Sequence, residues 1–279
     1  MGNKRSGTSM LVRLLNAHPR IFITHESDVI WTLFQSRMGL PEQFAPYPDD
    51  GDLGMRATLK SAAAVYQSML TTNHEKSDLV KAFFRIQDHL MKNGSDVQQR
   101  RPGKSGLAWV GDKKPAQYAD PELRQFILEL FPDAHFLHVI RNPCAVYRSM
   151  KTAVQDWGTV PDSWKGTAED IFTQWLGREK WVQQARNEAA VPIHSMRYED
   201  IVNSPVEQLR ACFNWLGLDM TAELKGKIRE MVRKPHSMNE PQPQMSAISG
   251  LEALMNQYGY KLDGSVGACP VDAGLQCRE

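Results

Sequence analysis

Gly2-Asn3-Lys4-Arg5-Ser6-Gly7-Thr8 is a glycine-bounded loop that carries two cations and three polar side chains. Such a loop, followed by a helix, offers backbone N–H groups, a positive helix end and a guanidinium fork to a bound anion. It has the outline of a nucleoside triphosphate loop, Gly-x-x-x-x-Gly, but the lysine that serves the β/γ-phosphates is missing after Gly7. Thr8-Ser9 stands there instead. Four further polar clusters follow short apolar runs: His25-Glu26, Gly111-Asp112-Lys113-Lys114-Pro115, Arg141-Asn142-Pro143 and Arg197-Tyr198-Glu199-Asp200. Together they supply cations for an anionic substrate, carboxylates for proton transfer and a histidine as a rival base. Gly103-Lys104-Ser105 imitates a second phosphate loop but lacks the upstream glycine and strand, and reads as a basic loop. Met1-Gly2 with Ser6 also fits an N-myristoylation pattern. That reading needs an exposed N-terminus, whereas Leu11, Leu14 and Leu15 call for burial immediately afterwards.

The runs that precede the clusters read as strands: 21–24, 107–110, 135–140 and 192–196. Between them lie helical patterns. Residues 9–17 place Met10, Leu11, Leu14 and Leu15 on one face and stop before Pro19. Asp120-Pro121 is a cap followed by proline at the first helical position, leading into 123–131. Segments 168–189 and 205–216 are amphipathic, the second ending at Gly217, and 55–93 reads as mostly helical. Segments 41–54 and 94–106 read as loops. Alternating strands and helices predict a parallel α/β sheet flanked by helices, in a single domain over 1–262 with a flexible tail over 263–279. In such sheets ligands lie beyond the carboxyl ends of the strands, so all five clusters share one rim. Strand alternation predicts that His25 and Glu26 point to opposite sides.

Composition narrows the class. Apolar residues make up 42% and charged residues 23%, with a formal net charge of +1. No bulk field draws the chain to nucleic acid or anionic lipid, so an anion must be held locally. The sequence carries no membrane span and no signal segment, which points to the cytoplasm. Cys144, Cys212, Cys269 and Cys277 lack metal-ligand spacing and read as ordinary thiols, with a pairing of Cys269 and Cys277 open in an oxidising compartment; no metal is expected. His138, inside an apolar strand, reads as a core histidine. Trp164, Trp175, Trp181 and Trp215 read mainly as packing residues, with one of them able to line an acceptor cleft.

GNKRSGTSMLVRLLNAHP, THES, GDKKP, FPDAHFLHVIRNPCAVYRSM and MRYEDIV, in that order, resemble sulfotransferases that use 3′-phosphoadenosine 5′-phosphosulfate (PAPS), in particular the group of bacterial and tyrosylprotein sulfotransferases. The resemblance spans about residues 2–218. It implies a P-loop-like fold, PAPS as co-substrate and sulfuryl transfer to a hydroxyl or amine. Arg5, Ser6, Gly7, Thr8 and Ser9 match the loop that holds the 5′-phosphosulfate, and Arg141 with Ser149 match the pair that grips the 3′-phosphate. Tyr198 matches a nucleotide-contacting tyrosine, Glu26 a catalytic base and Lys113 a lysine beside the bridging oxygen, with Arg5 also neutralising charge. His25 stays open as the alternative base.

The sequence also departs from that pattern. Asp28 stands where the tyrosylprotein enzymes carry arginine. Ala153 replaces a basic residue four positions beyond Ser149, with Lys151 nearby as a substitute, and the strand expected before the loop is missing at the N-terminus. Two other readings remain open: a P-loop nucleotide kinase or hydrolase, and a catalytically inactive nucleotide-binding protein. Partners are the nucleotide donor and an acceptor that is a saccharide, lipid, peptide or small metabolite. Acceptor loops are expected at 35–60, 94–106 and 152–166.

Overall fold

The structure is a computed structural model that describes residues 1–38, 75–94, 101, 103–115, 118, 120–157, 160, 162–187, 191–232, 248–261 and 266. It is mixed α/β, with parallel strands flanked by helices, and its contacts gather into two compact units. One comprises Met1 and residues 9–134, the other residues 2–8 and 135–279.

In the first unit the helix predicted after the loop is α1 (Thr8–Asn16), and it buries Leu11, Val12, Leu14 and Leu15. Strand β1 (Ile21–His25) pairs in parallel with β2 (Trp109–Lys113), in a register that sets His25 opposite Lys113. The predicted second strand thus starts two residues later and runs through Gly111-Asp112-Lys113, so those polar residues belong to the strand end rather than to a loop. The Asn16 side chain extends this ladder. Its amide donates to the Ile23 carbonyl and its carbonyl accepts from the Ile23 N–H, both at 2.8 Å.

Helices α2 (Val29–Arg37), α3 (Lys76–Asn93) and α4 (Pro121–Leu130) close the core of this unit. Leu79, Phe83, Ile86 and Leu90 recur at helical spacing on α3 and meet Leu33, Phe34, Leu123, Phe126 and Leu130. Burying each of these large side chains contributes roughly 1.5–3 kcal/mol. Asp120 caps α4 as its sequence signal predicts, accepting from the Leu123 N–H at 3.0 Å. Residues 55–74 and 41–54 lie outside the described residues; the rest of the helical segment predicted over 55–93 is α3.

In the second unit β3 (Phe136–Ile140) pairs in parallel with β4 (Ile193–Arg197), and Gly2 forms a parallel bridge to Val139. A Cβ on Gly2 would meet the Val139 carbonyl oxygen at 2.6 Å, so a glycine permits this approach. Gly2 is buried there rather than displayed for acylation. Helices α5 (Pro143–Trp157), α6 (Asp162–Lys165), α7 (Ala168–Asn187), α8 (Tyr198–Asn203), α9 (Pro205–Trp215), α10 (Ala222–Met231) and α11 (Leu251–Gln257) complete the unit. Its core joins Ile140, Phe172, Trp175 and Leu176 to Leu251, Leu254, Met255 and Tyr260. Helix α9 ends at Gly217, whose φ of 67° supplies the left-handed stop that its sequence predicts. The tail expected at 263–279 falls outside the described residues, except Val266, which bridges to Tyr260.

Candidate active site

The glycine-bounded loop belongs to the second unit. Its turn is closed from within: the Ser6 N–H and Oγ both reach the Asn3 carbonyl, at 3.2 and 2.7 Å. Arg5 and Gly7 occupy left-handed backbone, with φ of 63° and 93°. Arg5 is a non-glycine residue in a sparsely populated region, a strain that surrounding contacts must hold. Those contacts are specific. Arg5 Nε donates to Ser149 Oγ at 3.0 Å, and the Arg5 carbonyl accepts from an Arg141 terminal nitrogen at 2.9 Å.

Arg141 stands directly after β3, and Ser149 lies in α5, whose first turn is capped by Asn142 accepting from the Cys144 N–H at 2.9 Å. Arg5 touches both residues, so it links the strand end at Arg141 to Ser149 on α5. The Arg141 guanidinium sits 4.3 Å from the Tyr198 ring centroid, and the Tyr198 ring also covers Gly7, where a Cβ would lie 2.3 Å from a ring carbon. Burial lowers the Arg141 pKa from its ordinary value, and the charge of Arg148 adds to that, against the opposing pull of Tyr198 and Glu199. Arg141 Nε is buried with no hydrogen-bond partner among the described residues. A bound anion would satisfy it, so the cluster of Arg5, Arg141 and Ser149 fits a phosphate. Trp164 lies beside both cations of the loop, 6.0 Å from Lys4 Nζ and 5.7 Å from Arg5 Cζ; in sequence the tryptophans read mainly as packing residues, with one able to line an acceptor cleft.

The first unit assembles a second cluster. Lys113 Nζ reaches Glu26 Oε1 at 2.5 Å, Ser9 Oγ at 3.0 Å and His25 Nε2 at 3.2 Å, while His25 Nε2 lies 2.8 Å from Ser9 Oγ. The predicted separation of His25 and Glu26 therefore does not hold: both meet Lys113. The cause is the backbone at Glu26, where φ is 50° and the chain leaves the strand, so two-residue alternation stops at His25. The Glu26 N–H still bonds the Lys113 carbonyl at 2.8 Å, fixing that exit.

The electrostatics of the three groups differ. Burial alone would raise the Glu26 carboxyl, yet the charge and hydrogen bond of Lys113, helped by His25 and Lys114, hold it below its ordinary value. Burial lowers Lys113, against the pull of Glu26. Burial and the charge of Lys113 lower His25, so its ring is neutral near pH 7. Asp28, also in left-handed backbone with φ of 56°, pairs with Lys114. Asp112 is buried and accepts from Thr24 Oγ1 at 2.7 Å and Ser27 Oγ at 2.8 Å. Burial raises both of these carboxyls. Thr24 and Ser27 were read only as part of THES, and Lys114 as the neighbour of Lys113, without these partners.

Two basic residues proved to have backbone carbonyl partners. Lys151, considered as a substitute cation, donates to the Gly166 carbonyl at 3.1 Å. Lys104 of the imitation phosphate loop donates to the Asn16, His18 and Ile21 carbonyls at 2.9, 2.9 and 2.5 Å. It closes the end of α1, where backbone acceptors are left over. Among the described residues no helix is long and apolar enough to cross a membrane, and no group of three or more His, Cys, Asp or Glu is placed to hold a metal ion.

In the second unit the strand end at Arg141 meets the glycine-bounded loop, in the first unit the strand ends carry a buried carboxylate–lysine pair, and comparison makes the family specific. The sulfotransferase family matches residues 1–222, and the chain belongs to that family. Over 98 residues it is 30% identical to omega-hydroxy-beta-dihydromenaquinone-9 sulfotransferase Stf3 of Mycobacterium bovis and of Mycobacterium tuberculosis, a stretch that covers 33% of this chain. That stretch spans only 25% of the length of these relatives. The fold is similar to the sulfotransferase domain of the Synechococcus PCC 7002 olefin synthase, with a TM-score of 0.54 at 19% identity, covering 93% of each chain. It is likewise similar to the sulfotransferase domain from the curacin biosynthetic pathway, with a TM-score of 0.53 at 16% identity, covering 93% of this chain and 96% of that one.

Proposed function

We propose that this sulfotransferase takes its sulfuryl group from PAPS and delivers it to an acceptor hydroxyl or amine by in-line transfer, without a metal. The observation that carries this reading is the Arg5–Ser149–Arg141 cluster, with Arg141 Nε buried and unsatisfied. The 3′-phosphate is the group that separates PAPS from ATP-like donors, and a buried guanidinium with a free N–H suits it. Ser6, Gly7, Thr8 and Ser9 hold the 5′-phosphosulfate through loop and helix N–H groups, and Tyr198 packs against the nucleotide.

As the bond from sulfur to the bridging oxygen breaks, negative charge grows on the oxygen that stays with adenosine 3′,5′-bisphosphate. Lys113 and Arg5 neutralise it, a preorganised electrostatic effect worth about 2.7–4 kcal/mol per donor. Glu26 accepts the proton that the acceptor oxygen or nitrogen gives up as it bonds to sulfur. Its ion pair with Lys113 keeps the carboxylate ionised and aimed, and the same lysine then turns to the leaving oxygen. His25, neutral and within 3.2 Å of Lys113 Nζ, is the alternative base.

Isothermal titration with adenosine 3′,5′-bisphosphate, ATP and ADP tests the donor. Preference for the bisphosphate is expected; preference for ATP sinks the reading in favour of a kinase or hydrolase. Transfer of labelled sulfate from PAPS is then measured across saccharides, phenols, peptides and lipids. The last group includes omega-hydroxy quinones, because the mycobacterial relative is named for one. Turnover that persists in EDTA and vanishes in Glu26→Ala is the expected pattern. Binding of the bisphosphate without any transfer would indicate an inactive nucleotide-binding protein.

A further inference from the structure

Beneath the loop, the second unit buries a run of polar side chains that the reaction itself does not use. Asn3 is 1% exposed and Glu179, in the middle of α7, is 0% exposed. Asn3 Nδ2 donates to Glu179 Oε1 at 2.7 Å, and Asn3 Oδ1 accepts from an Arg178 terminal nitrogen at 3.0 Å. The other Glu179 oxygen lies 3.1 Å from His138 Nε2, an ion-pair distance whose angle is poor for a hydrogen bond. His138 Nδ1 lies 3.0 Å from Ser195 Oγ, and these two residues face each other across the β3–β4 ladder. His138, read from the sequence as a core histidine, is thus one station in a chain that runs from the sheet through α7 into the loop.

An interior gains no stability from such a chain over well-packed apolar residues, because each buried polar group costs desolvation. What the chain does is fix one residue. Both amide atoms of Asn3 are taken by α7, and its carbonyl receives Ser6 from the far side of the turn. Lys4 and Arg5 are the residues between those two anchored points. Arg5 stands in left-handed backbone there, so the direction of its guanidinium depends on where Asn3 is held.

We propose that Asn3 and Glu179 are positioning residues for the phosphosulfate loop: the buried Glu179 carboxylate grips Asn3, and through the Asn3–Ser6 turn it sets Arg5 toward the donor. This rests on the donor reading above, since it gives Arg5 a ligand to meet. The contact runs through one oxygen, Oε1, which accepts the Asn3 hydrogen bond.

Binding of adenosine 3′,5′-bisphosphate by titration calorimetry, well below the unfolding midpoint and on samples with native near-ultraviolet circular dichroism, tests it. Asn3→Ala and Glu179→Ala are expected to raise Kd about tenfold, the scale of one lost buried hydrogen bond to a charged group. Glu179→Gln keeps an oxygen for Asn3 and turns an N–H toward His138, so it is expected to bind within about threefold of the parent. A purely structural role would lower the unfolding midpoint and leave Kd of the folded fraction unchanged; that result overturns the proposal. Glu179→Gln binding as weakly as Glu179→Ala also overturns it. Should Glu179→Ala fail to fold, Asn3→Ala removes the same contact from the loop side and decides alone. Failure of the unsubstituted protein to bind the bisphosphate would instead overturn the donor reading.

Discussion

Arg5 Nε donates to Ser149 Oγ at 3.0 Å, so the arginine inside the loop and the serine two turns into α5 touch before any substrate arrives. The family resemblance assigns these residues to opposite ends of the donor, Arg5 to the 5′-phosphosulfate and Ser149 to the 3′-phosphate. Their contact joins the residues expected at the two ends in one hydrogen-bonded pair. Ser149→Ala is expected to weaken adenosine 3′,5′-bisphosphate about five- to tenfold and to leave adenosine 5′-phosphate nearly unchanged. Calorimetry with both nucleotides checks this; equal losses for the two would show that Ser149 acts only through Arg5.

Gly7 leaves no room for a side chain. Its φ of 93° is unfavourable for any other residue, and a Cβ would press into the Tyr198 ring at 2.3 Å. Gly7→Ala therefore combines backbone strain with displacement of the ring that backs Arg141. A stability loss of roughly 1–3 kcal/mol is expected, together with loss of bisphosphate binding. Thermal denaturation and calorimetry measure the two effects separately, and an unchanged Kd would refute the role given to Tyr198.

Lys113 joins Glu26, His25 and Ser9, so the three single-residue variants distinguish their tasks. Lys113→Ala is expected to lower kcat by about 10²–10³-fold with little change in acceptor KM. Glu26→Gln is expected to lower kcat at least about 10²-fold, and His25→Ala less than about tenfold. The reverse order for Glu26 and His25 would assign the proton transfer to the histidine.

His194 stacks on Trp215 with ring centroids 5.3 Å apart, and burial, with the charge of Arg186 adding to it, lowers its pKa to about 4. The unfolded imidazole titrates near 6.5. Between those values the unfolded chain binds a proton that the folded chain refuses. The stability from this group is therefore complete above about pH 6.5 and is lost as pH falls toward 4. Denaturant midpoints measured from neutral to mildly acidic pH should fall less steeply in His194→Phe, which keeps the stack and removes the titration. Parallel slopes would contradict the assignment.

The loop before α1, the placement of Arg141 after β3 and of Ser149 in α5, and the capped start of α4 were legible because each is written in consecutive or helically spaced residues. The convergence of His25 and Glu26 was not, because it depends on a left-handed turn at a glutamate, which residue type does not announce. Lys104 was readable as a basic loop residue but not as the closure of α1, since its three carbonyl partners lie more than 80 positions earlier. The burial of Asn3 against Glu179 joins residues 176 positions apart and has no local signature. The outcome at Lys151 has the same origin: its acceptor, Gly166, was chosen by the packing of α5 against the segment that follows.

Tyr260 lies well beyond residue 222, where the family match ends, yet it is fully buried. Its hydroxyl donates to Glu199 Oε2 at 2.8 Å, while the other oxygen of that carboxylate accepts from the Asn142 N–H, next to Arg141. The end of the chain beyond the family match is thus wired to the neighbour of Arg141. Substitutions around 251–260 are expected to disturb the Glu199–Asn142 contact beside Arg141 while every residue of the family match stays intact. A fragment cut at residue 222 for recombinant work would discard the Tyr260 support of Glu199, so the useful minimal fragment extends at least through Tyr260.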